Sequence, residues 1–540
     1  MPLAMPRPST LAGVAVLLAV ITTPSAATAQ NGQSFANAGA AGADYEQVTA
    51  RPVRTCESLV SLSGFEFSIA SAVMIPSIDE VPEHCRVSGV IPSEIQFDVN
   101  LPTGWNRRVY MYGNGGFAGT PADAPARVAF RHAGLRHGFA TAYTDTGHDS
   151  RVKPGATFAH GNLATVIDYG FRAVHLTAVT AKTLLAAYYD DALTYAYWDG
   201  CSTGGRQGLM AAQRFPDDFD GIVVGAPVLD FVGTMIWNTW NAAALADASL
   251  ELWKVGVVGD AVYAACDGVD GLVDGLIDDP RACDFDPVAA LPLCSDASNG
   301  DQCFSTADIA ALARIYGGVS SRGETVFPGL PVGAEAPGAP SLDAPTGASG
   351  WAGWIVRDTG RTRQLEMADS FLKYMAFDLD DPDYDWQTFD FDADPERMGA
   401  IRSILDATDP DLSRFRERGG KVLSYFGWAD PALNPLMGVD YYERVVERLG
   451  STTGDFYRLF MVPGMFHCRG GRGADRFDAM TPLIDWVERD IAPDRIEAAR
   501  VDDDVVTMTR PLCPYPMVAR YDGLGDPNDA SSFACGPSLP

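Results

Sequence analysis

Short apolar runs rich in β-branched and aromatic residues recur along this chain, and stretches with helical apolar spacing separate them. Residues 96–100 and 108–112 read as early strands, and residues 139–143 as a third. Residues 165–189 follow as a long amphipathic helix with Val166, Tyr169, Val174, Val179 and Leu184 near one face. Residues 194–198 form the next strand, 205–215 a helix, and 219–224 a strand ending at Gly225-Ala226-Pro227. Strands alternating with helices predict a mostly parallel, doubly wound α/β sheet. After Pro227 the texture changes. Residues 228–415 are rich in Asp, Gly, Pro and Trp and lose the alternation, so they read as an inserted lid domain. The pattern resumes with a strand over 421–426, a helix over about 436–449, a strand over 458–462 and a core-closing helix over 476–487. The α/β domain is thus expected in two parts, 30–227 and 416–540.

The first residues belong to a different pattern. Arg7 precedes an apolar run over 11–21, and Ala27-Thr28-Ala29 supplies a small-residue cleavage site. Residues 1–29 read as a secretory signal peptide, too short to span a bilayer. No later stretch is long and apolar enough to cross a membrane, so the mature protein is expected to be soluble and exported, to the periplasm or beyond. Residues 31–43 are Gly/Ala-rich and read as a mobile lead-in. The remaining length exceeds what one core normally organises, which predicts two domains. The net charge of −30, from 70 acidic and 40 basic residues, excludes nucleic acid and an anionic membrane surface as partners.

Ten cysteines behind an export signal imply disulfides. Proximity suggests Cys56 with Cys85, Cys266 with Cys283, Cys294 with Cys303, and Cys513 with Cys535, which leaves Cys201 and Cys468 for each other. There is no C-x-x-C pair to support zinc.

Candidate chemistry centres on Gly200-Cys201-Ser202-Thr203-Gly204, a G-x-S-x-G match between a strand and a helix. That context suits a nucleophile elbow, whose glycines let the serine stand clear of the sheet. The competing reading is a glycine turn whose serine caps the helix. In α/β-hydrolases the acid and then the histidine follow the serine in the chain. Of seven histidines only His467 follows Ser202, in a loop after the 458–462 strand. Asp430, directly after the 421–426 strand, is the matching acid. The Thr203 N–H and that of Gly115 or Gly116, at the end of an early strand, are the expected oxyanion donors.

Cys201-Ser202, Asp430 and His467-Cys468 together resemble the signature of the tannase and feruloyl esterase family, in which a disulfide joins the two cysteines beside the serine and the histidine. Gly113-Asn114-Gly115-Gly116-Phe117, Thr144-Asp145-Thr146-Gly147-His148 and Pro463-Gly464-Met465-Phe466-His467-Cys468 also look like its motifs. The resemblance implies an α/β-hydrolase with a lid, acting on small-molecule esters of aromatic (phenolic) acids. Feruloyl esterases and tannases are the first expectation, and a mono(2-hydroxyethyl) terephthalate-type hydrolase is the alternative. A reading of another class is a non-catalytic, calcium-stabilised binding protein on a hydrolase scaffold.

The lid adds Asp267, Asp270 and Asp274 in a glycine-rich run whose hard oxygens suit calcium, though the spacing is not that of an EF-hand. An Asp-Gly run is by itself more often an exposed turn. The resemblance implies a structural calcium site built from these three carboxylates and the carbonyls of Leu272 and Leu276, with no organic cofactor. Trp351, Trp354, Phe371, Tyr374, Phe377, Trp386 and Phe389 are candidates for an aromatic acyl pocket or for lid core.

Overall fold

The apolar runs collect into one sheet. The computed structural model describes residues 34–44, 47–294, 303–340 and 349–538, together with Met1. The expected signal peptide lies outside the described residues. The first seven strands are β1 (Ser68–Ile75), β2 (His84–Ile91), β3 (Ile95–Pro102), β4 (Arg108–Tyr112), β5 (Ala140–Thr144), β6 (Tyr195–Cys201) and β7 (Gly221–Gly225). A small hairpin, β8 (Val319–Ser321) and β9 (Glu324–Phe327), precedes β10 (Lys421–Gly427) and β11 (Tyr457–Val462). Nine of these pair in the order β1-β2-β3-β5-β4-β6-β7-β10-β11. From β5 through β11 every pairing is parallel, while β1, β2 and β3 form an antiparallel edge joined to β5.

Both faces of the parallel strands are covered, so β4, β5, β7 and β10 are buried along nearly their whole length. That is why they read clearly from sequence. The β1 and β2 strands went unread: β1 is exposed at four of its eight positions, and β2 alternates apolar with polar residues. The helix expected over 165–189 begins at Leu163 and is interrupted by a π turn over Asp168–Arg172 before continuing as Ala173–Tyr188. Such a bulge re-aims side chains at functional positions. Here the Tyr169 hydroxyl donates to the Gly116 carbonyl at 3.0 Å.

Between β7 and β10 the chain leaves the sheet and folds mainly into helices, among them Phe231–Leu245, Leu252–Cys266, Thr306–Gly317, Arg363–Tyr374 and Gly399–Leu405. One apolar cluster runs without a break from sheet residues such as Trp198 and Ile222 to Trp351, Phe371 and Leu405 of this segment. The helix Met480–Arg489 is not the last element. Two antiparallel pairs follow it, β12 (Ile496–Asp502) with β13 (Val505–Leu512) and β14 (Met517–Tyr521) with β15 (Phe533–Pro537).

Residues 34–43 correct the expectation of a mobile lead-in. Phe35 is 4% exposed and packs against Tyr110, Phe139 and the His137 ring. Asp478 accepts the N–H groups of Phe35 and Asn37, and Asp485 those of Gly42 and Ala43. One aromatic side chain and two distant carboxylates hold a tract whose composition alone reads as loose.

All five expected disulfides form, and the described cysteines leave none free. The Cys201–Cys468 bridge spans 267 positions with its Cα atoms 6.0 Å apart. Replacing Phe35 with Ala removes a buried ring and should lower the unfolding free energy by about 3 kcal/mol, measured by urea denaturation. A midpoint equal to that of the wild type would show that the strap contributes nothing.

Candidate active site

At the end of β6 the backbone turns sharply into the helix Thr203–Arg214, with Ser202 at φ 63° and ψ −123°. The turn leaves no room for side chains beside it: a Cβ on Gly200 would lie 2.5 Å from the Gly204 carbonyl, and one on Gly205 2.4 Å from the Gly225 oxygen. The Ser202 N–H donates to Gly225 O at 3.0 Å, and its carbonyl accepts from Arg206 and Val228. The serine side chain makes no capping bond to the helix, which removes the capping reading.

Strand ends on the same edge of the sheet bring up the other two residues. Asp430 follows β10 and His467 follows β11. The His467 Nδ1 meets Asp430 Oδ2 at 2.7 Å, with both side chains buried. The N–H groups of Ala432 and Leu433 hold the other carboxylate oxygen at 2.8 and 3.0 Å. An N–H at Nδ1 bonded to that carboxylate leaves the lone pair on Nε2. Trp354 packs edge-on against the imidazole at 5.8 Å.

Ser202 and His467 share the lining of one cavity of about 570 Å³ with Thr203, Gly115 and Gly116. The N–H groups of Thr203, Gly115 and Gly116 have no hydrogen-bond partner among the described residues. The Gly116 carbonyl is fixed from behind by Thr203 Oγ1 at 2.6 Å and by Tyr169. That orients the loop without using its donors.

Of the seven lid aromatics, Trp354 reaches this cavity. Trp351, Phe371 and Phe389 are buried in the core, and Tyr374, Phe377 and Trp386 pack against it half-buried. The walls are instead built by Phe117, Phe231, Met235, Met367 and Leu433, with Asn238, Arg363 and Glu366 as polar members. Sequence reading missed these. The run Phe231–Leu245 is apolar nearly all round, so no stripe distinguishes a cavity face from a core face.

The Asp-Gly loop lies elsewhere, against the C-terminal hairpin. Asp267 accepts the N–H groups of Asp274 and Gly275, Asp270 that of Leu272, and Asp274 that of Leu276. Asp274 also pairs with the buried Arg510 at 2.7 Å. Among the described residues no three such side chains converge as a metal shell in this arrangement. The donor chemistry nevertheless fits a hard dication. Asp267, Asp270 and Asp278 have no ion-pair partner among the described residues, and the Asp278 carboxyl is pushed well up by desolvation and then by the charges of Asp270 and Asp274. Asp278 is a member of this cluster that the sequence reading did not single out.

The sequence matches the tannase and feruloyl esterase family over residues 80–536. It is 36% identical over 517 residues to the mono(2-hydroxyethyl) terephthalate hydrolase of Piscinibacter sakaiensis, covering 84% of this chain and 85% of that one. It is 30% identical over 523 residues to feruloyl esterase B of Aspergillus niger, covering 91% and 94%. The crystal structure of feruloyl esterase B from Aspergillus oryzae superposes with a TM-score of 0.77 at 26% identity, over 89% of this chain and 99% of that one. With its serine turn, its buried histidine–carboxylate pair and this match along most of its length, the chain belongs to the tannase and feruloyl esterase family and is a carboxylic ester hydrolase.

Proposed function

We propose that the protein is an exported serine esterase that hydrolyses esters of aromatic, phenolic acids through Ser202, His467 and Asp430. The observation that carries this reading is the buried 2.7 Å contact between His467 and Asp430, on the wall of the same cavity as the strained Ser202. His467 Nε2 takes the Ser202 proton as Oγ attacks the ester carbonyl, and Asp430 stabilises the imidazolium. The N–H groups of Thr203 and of Gly115 or Gly116 receive the oxyanion. His467 then protonates the leaving alcohol. In the second half it takes a proton from water as the water attacks the acyl-enzyme, and returns that proton to Ser202. Five disulfides support export to an oxidising compartment. Among the described residues no helix is long and apolar enough to cross a membrane.

A second reading takes its support from Arg363, whose guanidinium lines the cavity and would suit a free carboxylate such as that of mono(2-hydroxyethyl) terephthalate. Glu366 lines the same wall 3.6 Å from that guanidinium and offsets its charge, which favours uncharged phenolic acyl groups. Comparing kcat/KM on methyl ferulate, methyl gallate and mono(2-hydroxyethyl) terephthalate separates the two. Calcium in the lid loop would be held by Asp267, Asp270 and Asp274 with the carbonyls of Leu272 and Leu276. Its charge would neutralise clustered carboxylates and stiffen the loop that Cys266–Cys283 closes.

Four outcomes test these assignments. Ser202→Ala should abolish turnover of p-nitrophenyl acetate, and Asp430→Asn should lower kcat by roughly 10⁴-fold through the wrong imidazole tautomer. Near-normal kcat in Asp430→Asn would hand the role to another carboxylate, and turnover surviving in Ser202→Ala would remove the serine mechanism. Excess EDTA should lower the melting temperature by removing a ligand of the folded state. An unshifted melting curve, with no calcium by elemental analysis, would dispose of the metal. Joint replacement of Cys201 and Cys468 with Ala should reduce kcat more than it raises KM. A change confined to KM would mean that the bridge serves the pocket and not the catalytic geometry.

A further inference from the structure

Asp430 owes its orientation to a tight turn. Its Oδ2 meets His467, and its Oδ1 accepts the N–H groups of Ala432 and Leu433 at 2.8 and 3.0 Å. The Ala432 N–H belongs to the Pro431–Ala432 peptide, which is trans. In a trans peptide the N–H and the C=O share one plane and point opposite ways. Whatever holds the Pro431 carbonyl therefore also aims the Ala432 N–H at the carboxylate. A side chain of the insertion does this: Gln364 Nε2 donates to Pro431 O at 3.0 Å.

Gln364 is itself fixed. It is 2% exposed, and its Oε1 accepts from Asn241 Nδ2 at 3.0 Å. A carbonyl can only accept, so Pro431 draws the NH2 end of the amide and leaves the oxygen for Asn241. The backbone N–H of Gln364 donates to the Trp354 carbonyl at 3.1 Å, and the Trp354 ring packs against the His467 imidazole. One residue of the helix Arg363–Tyr374 thus touches the supports of both members of the histidine–carboxylate pair. Asn241 comes from the helix Phe231–Leu245, so two helices of the insertion and the acid turn meet at this amide.

We propose that Gln364 is a positioning residue for catalysis. It holds the Asp430 turn through the Pro431 carbonyl, so the insertion completes the catalytic pair as well as walling the cavity. The assignment rests on the Ser202, His467 and Asp430 reading above. Gln364 also lines the cavity, which makes contact with substrate the rival role. Asn241 stands behind it and does not line the cavity, so it separates the two.

Gln364→Met keeps the bulk and removes the donor. It should lower kcat by at least about tenfold on both p-nitrophenyl acetate and p-nitrophenyl benzoate, with KM within about twofold of the wild type. In the Asp430→Asn background the same substitution should cost less than about twofold, because residues acting as one unit lose their effect together. Asn241→Ala frees the Gln364 amide and should lower kcat by about threefold or more, again with little change in KM. An unchanged kcat in either variant overturns the proposal. Equal losses with and without Asp430→Asn would make the role merely structural, and a loss confined to the benzoate would make it a substrate contact; each overturns it too. Should Gln364→Met fail to fold, Asn241→Ala decides through its own cycle with Asp430→Asn. Failure of the triad reading is distinguishable, since Asp430→Asn alone would then keep near-normal kcat.

Discussion

At φ 63° Ser202 carries a side chain in a backbone region that persists only where the surroundings over-determine it. Much of the structure supplies that constraint. The Gly225 carbonyl holds its N–H, and Arg206 and Val228 hold its oxygen. On the preceding residue, the Cys201 bridge ties the turn to Cys468, which itself sits at φ 62°. Two strained turns on different strand ends are thereby fixed to each other beside the residues whose side chains must meet. In the chain-entropy account a bridge closing so long a loop removes about 5 kcal/mol of unfolded-state freedom. Its local effect is geometric: it sets the approach of the His467 loop to the serine turn.

A second network reaches the same point from the opposite side. Arg206, one turn into the helix after Ser202, is fully buried and makes no ion pair among the described residues. Its Nη atoms donate to the carbonyls of Tyr169, Gly170 and Leu405, and its guanidinium lies over the Tyr169 and Phe231 rings. Burial pulls its pKa down, but a guanidinium remains charged, so carbonyl dipoles and ring faces solvate it in place of water. Through this one side chain the elbow helix, the π turn and the insertion helix Gly399–Leu405 are held together. Tyr169 then passes the restraint to Gly116.

The legible parts of the chain were those whose physics is local. The strands β4, β6, β7, β10 and β11 are buried on both faces and show as apolar runs. The serine turn shows as glycines at fixed offsets, and Asp430 and His467 each follow a strand. Features that depend on distant partners did not show. Phe35 is one aromatic in a Gly/Ala tract, and its pocket comes from β4 and the chain before β5. The π turn looks like ordinary helix, because the insertion of one residue leaves apolar spacing nearly intact. The half-exposed β1 carries too little apolar periodicity to stand out. Asp278 is different: it follows Asp274 by the same four-residue step that separates Asp274 from Asp270, so the spacing carried it and the reading passed it over.

This division also separates reaction from selectivity. The groups placed in the reaction come from strand ends and turns of the sheet, where the backbone path is set by ladders and glycine-permitted turns. Much of the cavity wall comes instead from Phe231–Leu245, buried along most of its length, and from Arg363–Tyr374, which is only partly buried. The buried helix Phe231–Leu245 has no polar face against which a cavity residue could stand out, so Phe231, Met235 and Asn238 read as interior positions. What marks them is the cavity they share with Ser202, and that exists only once the insertion has folded against the sheet. Selectivity in such an insertion is therefore set by which helix positions the fold turns toward the cavity, and a change of one side chain there can alter the preferred ester while Ser202, His467 and Asp430 keep their places.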